Sequence, residues 1–406
     1  MKFLHTSDWH IGRTLYGRKR YDEFTRFLDW LAEQIDQHQV DCLLVSGDVF
    51  DTTTPSNRSQ SLYYKFLFAV SASACRHVVI IGGNHDSPSF LNAPKALLKA
   101  IDIHVVGAAC EAPEEEVVCL RNRSGEIEAV VCAVPYLRDR DIRTVGVDES
   151  IEDKTDRLVK GIKEHYKAVC AAAVKKGGRT VPVIGMGHLF AAGGKTAEGD
   201  GVRQLHVGSL SRVGADVFPD SLDYVALGHL HIAQTVDRNQ TIRYAGSPIP
   251  MGFGEAGQEK QVMLVLFDGR TPEITPLAVP RFQELERVSG NIHEILERIE
   301  ALKAGRSRAW LEIDYTGKAL VPDLGQQVEA AVEQSDMEIR RIRNRHLVRR
   351  ILQKDRAAPT LEELDVHEVF DRLLEANAID GAEQERLRQT YRETLKMIYE
   401  ADSRAE

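Results

Sequence analysis

No apolar run in the 406-residue chain approaches the ~18–20 residues that a membrane span needs, and residues 1–7 offer only Phe3-Leu4 before the chain turns polar. Neither a transmembrane helix nor a secretory leader is expected. The six cysteines (Cys42, Cys75, Cys110, Cys119, Cys132, Cys170) include no C-x-x-C pair and none lies beyond Cys170. Most sit in apolar runs such as Val40-Asp41-Cys42-Leu43-Leu44-Val45, which points to buried free thiols rather than a disulfide framework or a zinc ribbon, and to the cytosol. An excess of positive charge is also missing: 52 basic against 61 acidic residues leave a net −9. That excludes nucleic-acid binding by bulk charge, so any polyanion must meet a local patch, a bound cation or a partner. Repeats and low-complexity tracts are absent. With 43% apolar and 28% charged residues, the composition is that of a soluble globular protein of two to three domains.

What is present, from residue 1 to about 275, is a series of short apolar runs, each closed by a polar residue or glycine. Phe3-Leu4-His5 leads into Asp8, Cys42-Leu43-Leu44-Val45 into Gly47 and Val78-Val79-Ile80-Ile81 into Gly82. Val183-Ile184 leads into Gly187 and Tyr224-Val225-Ala226-Leu227 into Gly228. Such runs predict strands buried on both faces. Between the first three, residues 21–37 carry Phe24, Phe27, Leu28, Leu31 and Ile35 at helical spacing, and residues 60–71 carry Leu62, Phe66, Leu67 and Val70. Strands alternating with helices predict an α/β layered domain.

The texture changes at Thr275-Pro276-Leu277-Ala278-Val279-Pro280-Arg281. Strands are expected over 282–288, 309–315 and 338–342, with helices over 292–302 and 324–333, as a small β-α-β-β-α-β-like α+β unit. A polar, proline-ended linker at 354–359 precedes Thr360 and Glu363, a capping box opening a helix with Leu361, Leu364, Val369, Phe370, Leu373 and Leu374. A second helix is expected over 382–401. The expected domains are thus 1–275, 276–352 and 353–406.

Asp8, His10, Asp48, Asn84, His85, His188, His229 and His231 share one property: each follows a buried-strand pattern, and four of them, Asp48, Asn84, His188 and His229, come directly after glycine. Ligands gather at the carboxyl ends of strands in open α/β sheets, and glycine lets backbone turn tightly there. Carboxylate, amide and imidazole donors together suit Mn²⁺, Fe²⁺ or Zn²⁺. The donors are too numerous for one tetrahedral ion. One bridging carboxylate with three private ligands on each side would hold two ions roughly 3.5–4 Å apart, the arrangement for phosphoryl-ester displacement. Any one of these histidines alone would be an ordinary hydrogen-bonded residue, and either aspartate a cap or turn residue. It is their shared placement that argues for a site. His5, His38, His77, His104, His165, His206, His293, His346 and His367 lack it and take the structural reading.

The blocks D-x-H, G-D-x-x-D, G-N-H-D, G-H and G-H-x-H, in this order, resemble those of the calcineurin-like metallophosphoesterases. Leu4-His5-Thr6-Ser7-Asp8-Trp9-His10-Ile11-Gly12, Gly47-Asp48-Val49-Phe50-Asp51, Ala226-Leu227-Gly228-His229-Leu230-His231 and Gly246-Ser247-Pro248 narrow the resemblance to the SbcD family of bacterial SbcCD DNA nuclease subunits, over essentially the whole chain. The resemblance implies a core of layered β-sheets flanked by helices, a small α+β capping domain and a C-terminal helical pair. It also implies that Asp8, His10 and His231 hold one Mn²⁺, Asn84, His188 and His229 a second, and that Asp48 bridges them. His85 would sit over the phosphate without touching the ions, and Asp86, next in sequence, would orient it by accepting its second ring N–H. The implied activity is 3′→5′ exonuclease on duplex ends and endonuclease on single strands or hairpins, in repair, recombination and replication. The implied partners are DNA, an SMC-like ABC ATPase docked on the C-terminal helices, and a second copy meeting through helices near 60–71 and 89–100. The rival reading is a small-molecule or protein phosphoesterase with the same two-metal core. The C-terminal third argues against it, as does the lack of Arg-Gly after Asp48.

Gly193-Gly194-Lys195-Thr196 looks like part of a P-loop, but Leu189 stands where the first glycine is needed. The chain itself is not expected to bind ATP. Two basic clusters offer polyanion contacts: Arg13, Arg18, Lys19 and Arg20, and the six arginines 340, 341, 343, 345, 349 and 350. The role of the Gly-rich loop at 191–201 is not fixed by its sequence.

Overall fold

Runs that are apolar throughout form strands covered on both faces, and here they build two sheets packed against each other. The computed structural model describes residues 1–142, 151–177, 180–191, 213–319, 321 and 323–344, and singly residues 370, 371, 374, 384, 387, 388, 390 and 391. It divides into two units, Met1–Glu284 and Leu285–Glu406.

The first unit opens with β1 (Lys2–Thr6), the short hairpin β2 (Thr14–Leu15) and β3 (Arg18–Lys19), and α1 (Tyr21–His38). Then come β4 (Cys42–Ser46), α2 (Asn57–Ser71), β5 (His77–Ile81), α3 (Pro88–Asn92), α4 (Lys95–Lys99) and β6 (Ile103–Val106). The second half holds β7 (Val117–Arg121), β8 (Ile127–Ala133), α5 (Asp139–Ile142), α6 (Ile151–Gly177), β9 (Val183–His188) and β10 (Tyr224–Gly228). It closes with β11 (Gln234–Val236), β12 (Asn239–Tyr244), β13 (Lys260–Asp268) and β14 (Thr271–Val279).

The first sheet has the order β14-β13-β1-β4-β5-β6 and the second β11-β12-β10-β9-β8-β7. Within the first, β1, β4, β5 and β6 run parallel; within the second, β8, β9, β10 and β12 do. Phe3, Leu44, Val79 and Ile81 of one sheet meet Leu120, Val131, Met186 and Ala226 of the other in a buried layer. The opposite face of the first sheet packs on α1 and α2 through Phe24, Phe27, Leu31, Phe66 and Leu67. That of the second packs on α6 through Ile162, Tyr166, Val169 and Ala173. The result is four layers, α/β/β/α.

The five apolar residues expected on α1 are all buried. Helix α2 begins earlier than its hydrophobic spacing suggests, because Ser56 caps it by accepting the Ser59 N–H at 3.2 Å. The 27-residue α6 has no counterpart among the helices expected from sequence. Residues 275–279, where the texture changes, continue β14, paired along β13. All six cysteines are free, four of them buried. Among the described residues no helix is long and apolar enough to cross a membrane.

The second unit runs β15 (Leu285–Gly290), α7 (Ile292–Ala304), β16 (Trp310–Tyr315), α8 (Leu324–Val332) and β17 (Glu338–Asn344). It is β-α-β-α-β with three parallel strands in chain order, not the expected β-α-β-β-α-β. The reason is that each helix crosses between neighbouring parallel strands, so no hairpin is needed. Asn291 and Glu294 form the capping box of α7. Arg340 pairs with Glu338 at 3.2 Å, and Arg341 lies 3.6 Å from the buried Glu312, so two of the six clustered arginines meet acids of their own unit. Arg345, Arg349 and Arg350 lie outside the described residues, as do the 354–359 linker, the 360–363 capping box and residues 192–201. Among the singly described residues near the C-terminus, Phe370 stacks on Tyr391 with ring centroids 3.9 Å apart, and Asp371 pairs with Arg388 at 2.6 Å.

Candidate metal centre

The loops after β1 and β4 go on pairing beyond the sheet. Asp8 donates its backbone N–H to the Gly47 carbonyl at 3.0 Å, His10 to Asp48 at 2.9 Å and Ile11 to Val49 at 2.9 Å. This brings the D-x-H block beside the G-D-x-x-D block. Four site residues adopt left-handed backbone: Asp8 (φ 53°), His10 (φ 47°), Asp48 (φ 50°) and His229 (φ 97°). Such conformations cost of order 1–3 kcal/mol each and persist where the surroundings enforce them. Gly47 (φ 84°) has no alternative, since a Cβ there would land on the His188 ring, and a Cβ on Gly83 would land on the Asp48 carboxylate.

The structure brings all seven expected ligands together, in two groups. Asp8, His10 and His231 offer donor atoms within 4.8 Å of one another, and so do Asp48, His188 and His229. All six are buried. His10 Nε2 lies 3.1 Å from His231 Nε2. Asn84 Oδ1 joins the second group, 3.0 Å from His188 Nε2 and 2.9 Å from His229 Nδ1. Asp48 Oδ2 stands between the groups, 3.6 Å from His10 Nε2 and 3.2 Å from His188 Nε2. First-sheet strand ends supply Asp8, His10, Asp48 and Asn84; second-sheet strand ends supply His188, His229 and His231.

Hydrogen bonds on the far side of the rings fix which nitrogen faces inward. His188 donates Nδ1–H to the Ser46 carbonyl at 2.9 Å, aiming Nε2 at Asp48 and Asn84. Asp8 accepts from the Ser7 hydroxyl at 2.6 Å and the His229 backbone N–H at 2.9 Å. Burial alone would lower the His188 pKa, but the Asp48 carboxylate outweighs it and pushes the ring up to about 9. Burial would raise Asp48; the His188 ring outweighs it and holds the carboxyl well below the usual range. Burial, reinforced by the His188 charge, lowers His229 to about 3.

His85 donates Nδ1–H not to Asp86 but to the carbonyl oxygen of Asp51, at 2.9 Å. This corrects the role expected for Asp86. Its buried carboxylate accepts three backbone N–H groups, from Val49 at 3.1 Å, Phe50 at 3.0 Å and Gly83 at 2.9 Å. It thus ties the loops after β4 and β5 together. Burial and the nearby Asp48 charge raise Asp86 to about 6. Asp51 has a second contact, its carboxylate lying 3.3 Å from His10 Nδ1 and 3.1 Å from Arg13. The last residue of G-D-x-x-D was the signal for it. No motif marked Glu255 or Lys260. Glu255 is fully buried and pairs with Lys260 Nζ, with Oε1 3.6 Å from His231 Nδ1. Lys260 also donates to the His231 carbonyl at 3.1 Å. Arg20, expected to be available for phosphate, is instead buried and forks onto Glu23 at 2.7 and 2.8 Å, while Arg18 and Lys19 are exposed on the hairpin.

These residues fit divalent cations. Two imidazole nitrogens, His10 Nε2 and His231 Nε2, face each other at 3.1 Å across the cluster, while the outer Nδ1 atoms face the Asp51 and Glu255 carboxylates at 3.3 and 3.6 Å, as the outer nitrogens of metal-bound histidines do. Nitrogen and oxygen donors in two groups about a shared carboxylate are what borderline ions select.

Residues 1–233 match the calcineurin-like phosphoesterase family, and residues 281–378 match the family described as type 5 capsule protein repressor C-terminal domain. The chain is 35% identical to the SbcD component of the SbcCD nuclease of Escherichia coli (strain K12) over 402 residues, 98% of each chain. It is 37% identical to the Rhodobacter capsulatus protein of the same name, over 74% of this chain and 76% of the relative. With the Bacillus subtilis counterpart it shares 30% identity over the full length of both. The architecture, the strand-end cluster and these matches lead to one conclusion: the chain belongs to the calcineurin-like phosphoesterases, in the SbcD family of SbcCD nuclease subunits.

Proposed function

We propose that this chain is the nuclease subunit of an SbcCD-type complex, a hydrolase that cuts DNA phosphodiester bonds with two Mn²⁺ ions. The observation that carries the reading is Asp48 Oδ2 standing between His10 Nε2 and His188 Nε2 at 3.6 and 3.2 Å. Asp8, His10 and His231 would hold one ion, Asn84, His188 and His229 the other, with Asp48 bridging. When bound, such a pair supplies Lewis-acid neutralisation of phosphoryl charge and water acidified toward neutrality. The chain's own part is orientation and proton delivery. The Asp51 carbonyl holds His85 Nδ1–H, and the His85 backbone N–H donates to Asp48 Oδ1 at 2.9 Å. His85 Nε2 is the ring nitrogen left for substrate. In its imidazolium form it would give its proton to the departing oxygen as the P–O bond breaks and water oxygen takes that place on phosphorus.

DNA and an SbcC-type ATPase are the proposed partners, as the names of the relatives imply. The ATPase would dock on the C-terminal helices. A homodimer is supported by Phe68 of α2 and Leu97 of α4, large apolar side chains left 73% and 74% exposed. The cytosol remains the proposed compartment. The deciding experiment incubates purified chain and Mn²⁺ with end-labelled duplex and hairpin DNA, with and without the ATPase. Cleavage that disappears in His85→Ala is the expected result. Turnover of small phosphate esters with no cleavage of DNA would favour the rival phosphoesterase.

A further inference from the structure

Two histidines given structural roles by sequence, His77 and His104, come together with Asp102 at the far end of the first sheet. β5 begins at His77 and pairs in parallel with β6, with Val78 opposite Ile103 and Val79 opposite His104. One step back, His77 stands opposite Asp102, whose carbonyl accepts the Val78 N–H at 3.1 Å. Side chains alternate along strands, so His77 and His104 share one face, and Asp102, in the turn that leads into β6, brings its carboxylate to the same place. We propose that these three residues form a third metal site, for a single Zn²⁺ ion, separate from the candidate metal centre.

The donor set is the first argument. One ligand atom from each residue lies within 4.8 Å of the other two. Two imidazoles and a carboxylate, with a fourth position open, are a common arrangement for zinc. The set is too rich in nitrogen for Mg²⁺ or Ca²⁺.

The second argument is the tautomer of His77. Its Nε2 lies 2.9 Å from the Arg121 carbonyl oxygen. A carbonyl only accepts, so Nε2 carries the hydrogen and Nδ1 carries the lone pair. That Nδ1 is buried and has no hydrogen-bond partner, in a residue only 6% exposed. Metal-bound histidines show this pattern: one nitrogen donates to a carbonyl or carboxylate while the other faces the ion. His104 and Asp102 are not drawn into side-chain hydrogen bonds among the described residues, and the two rings, 6.4 Å apart and tilted by 38°, are not stacked. Burial, with the nearby His77, lowers His104 to about 4, so its ring is neutral and able to ligate at neutral pH. Asp102 is exposed and His104 half-buried, leaving an entry path from solvent.

The proposed site lies at the opposite end of β5 from Asn84, about 20 Å away at ~3.3 Å per residue. An ion here would clasp β6, the edge strand of the sheet, to its neighbour. The test uses the full chain, chelated, dialysed to equilibrium against buffered micromolar zinc, and analysed for zinc per chain by plasma mass spectrometry. His104→Gln and Asp102→Asn are the variants, because both positions reach solvent, and circular dichroism checks that each is folded. Wild type is expected to hold three zinc ions and each variant two. Equal zinc content in wild type and both folded variants would overturn the proposal. If the two-metal reading of the other centre is wrong, all totals fall together, and the difference of one ion persists.

Discussion

Replacing Glu255 with glutamine should separate two roles of one buried carboxylate. Glu255 meets Lys260 Nζ, accepts the Met251 N–H at 3.0 Å and the Ser247 hydroxyl at 3.3 Å, and lies 3.6 Å from His231 Nδ1. Glutamine preserves the shape and removes the charge. Lys260, only 6% exposed, would then lose its ion pair with Glu255 while keeping, among its contacts, the His231 carbonyl at 3.1 Å, Ser247 Oγ at 3.0 Å and Gln258 Oε1 at 3.5 Å. Removing one member of a buried ion pair costs ~3–5 kcal/mol, and the contacts that Lys260 keeps put Glu255→Gln at the low end, ~3 kcal/mol. Independently, His231 loses the anion behind its ring. Removing such outer support weakens metal binding ~10–100-fold, which is ~1.4–2.7 kcal/mol. Adding Lys260→Met removes the buried cation that Glu255 balances, so the double variant should recover to within ~1.5 kcal/mol of wild-type stability. Its metal affinity should stay low. Urea unfolding of chelated protein reads the first effect and Mn²⁺ titration the second. Wild-type affinity in Glu255→Gln, or affinity restored in the double variant, would refute the reasoning.

Asp48→Ala should lose both ions, because one oxygen serves both groups; plasma mass spectrometry finding two ions still bound would sink the bridging role. His85→Ala should keep both ions and bind DNA while losing ~10²–10⁴-fold in turnover, and loss of metal would make His85 a ligand instead. A pH effect is expected from His5, fully buried between the Tyr224 hydroxyl at 2.9 Å and the Leu227 carbonyl at 3.2 Å. Burial lowers its pKa from 6.5 to about 3, so the unfolded chain takes up the proton first as pH falls. The stability is present above about 6.5 and is lost on acidification toward 3, by ~2 kcal/mol at pH 5. His5→Gln should lack that loss, checked by urea unfolding of chelated proteins at pH 7 and pH 5; equal losses in both proteins would count against it.

The side-chain cluster was legible because strand ends have a local signature: an apolar run closed by a polar residue or glycine, then a donor. Phe24, Phe27, Leu28, Leu31 and Ile35 were legible for a similar reason, since helical spacing names the buried face. Supporting residues carry no such signature. Glu255 and Lys260 act through the fold on a ring 24 and 29 positions before them in sequence, and nothing local distinguishes them from a surface pair. Asp86 shows the opposite failure. Adjacency to His85 suggested a partnership, but a strand-end turn sends consecutive side chains different ways, and the carboxylate serves backbone N–H groups instead. The elements of the second unit were legible, but its β-α-β-α-β arrangement was not, because how each helix crosses between strands is not recorded in hydropathy.

The centre draws on two sheets, and that has a consequence for how the protein comes into being. His229 donates its N–H to Asp8 Oδ1 across 221 positions of sequence, at 2.9 Å. On the ribosome Asp8, His10, Asp48 and Asn84 emerge long before His188, His229 and His231. A nascent chain or an early-terminated fragment therefore displays half a coordination shell, with Asp48 lacking its partner on the second sheet. On the proposed ligand assignment, the donor set for hydrolysis is complete only when the second sheet docks. Cations that bind the completed site alone then act by mass action on the whole unit, adding ~2.7 kcal/mol per site when free metal reaches 100 times its Kd. Metal starvation should accordingly be felt first along the junction of the two sheets, where amide hydrogen exchange of Ser46 and Gly228 would rise before that of either sheet's interior.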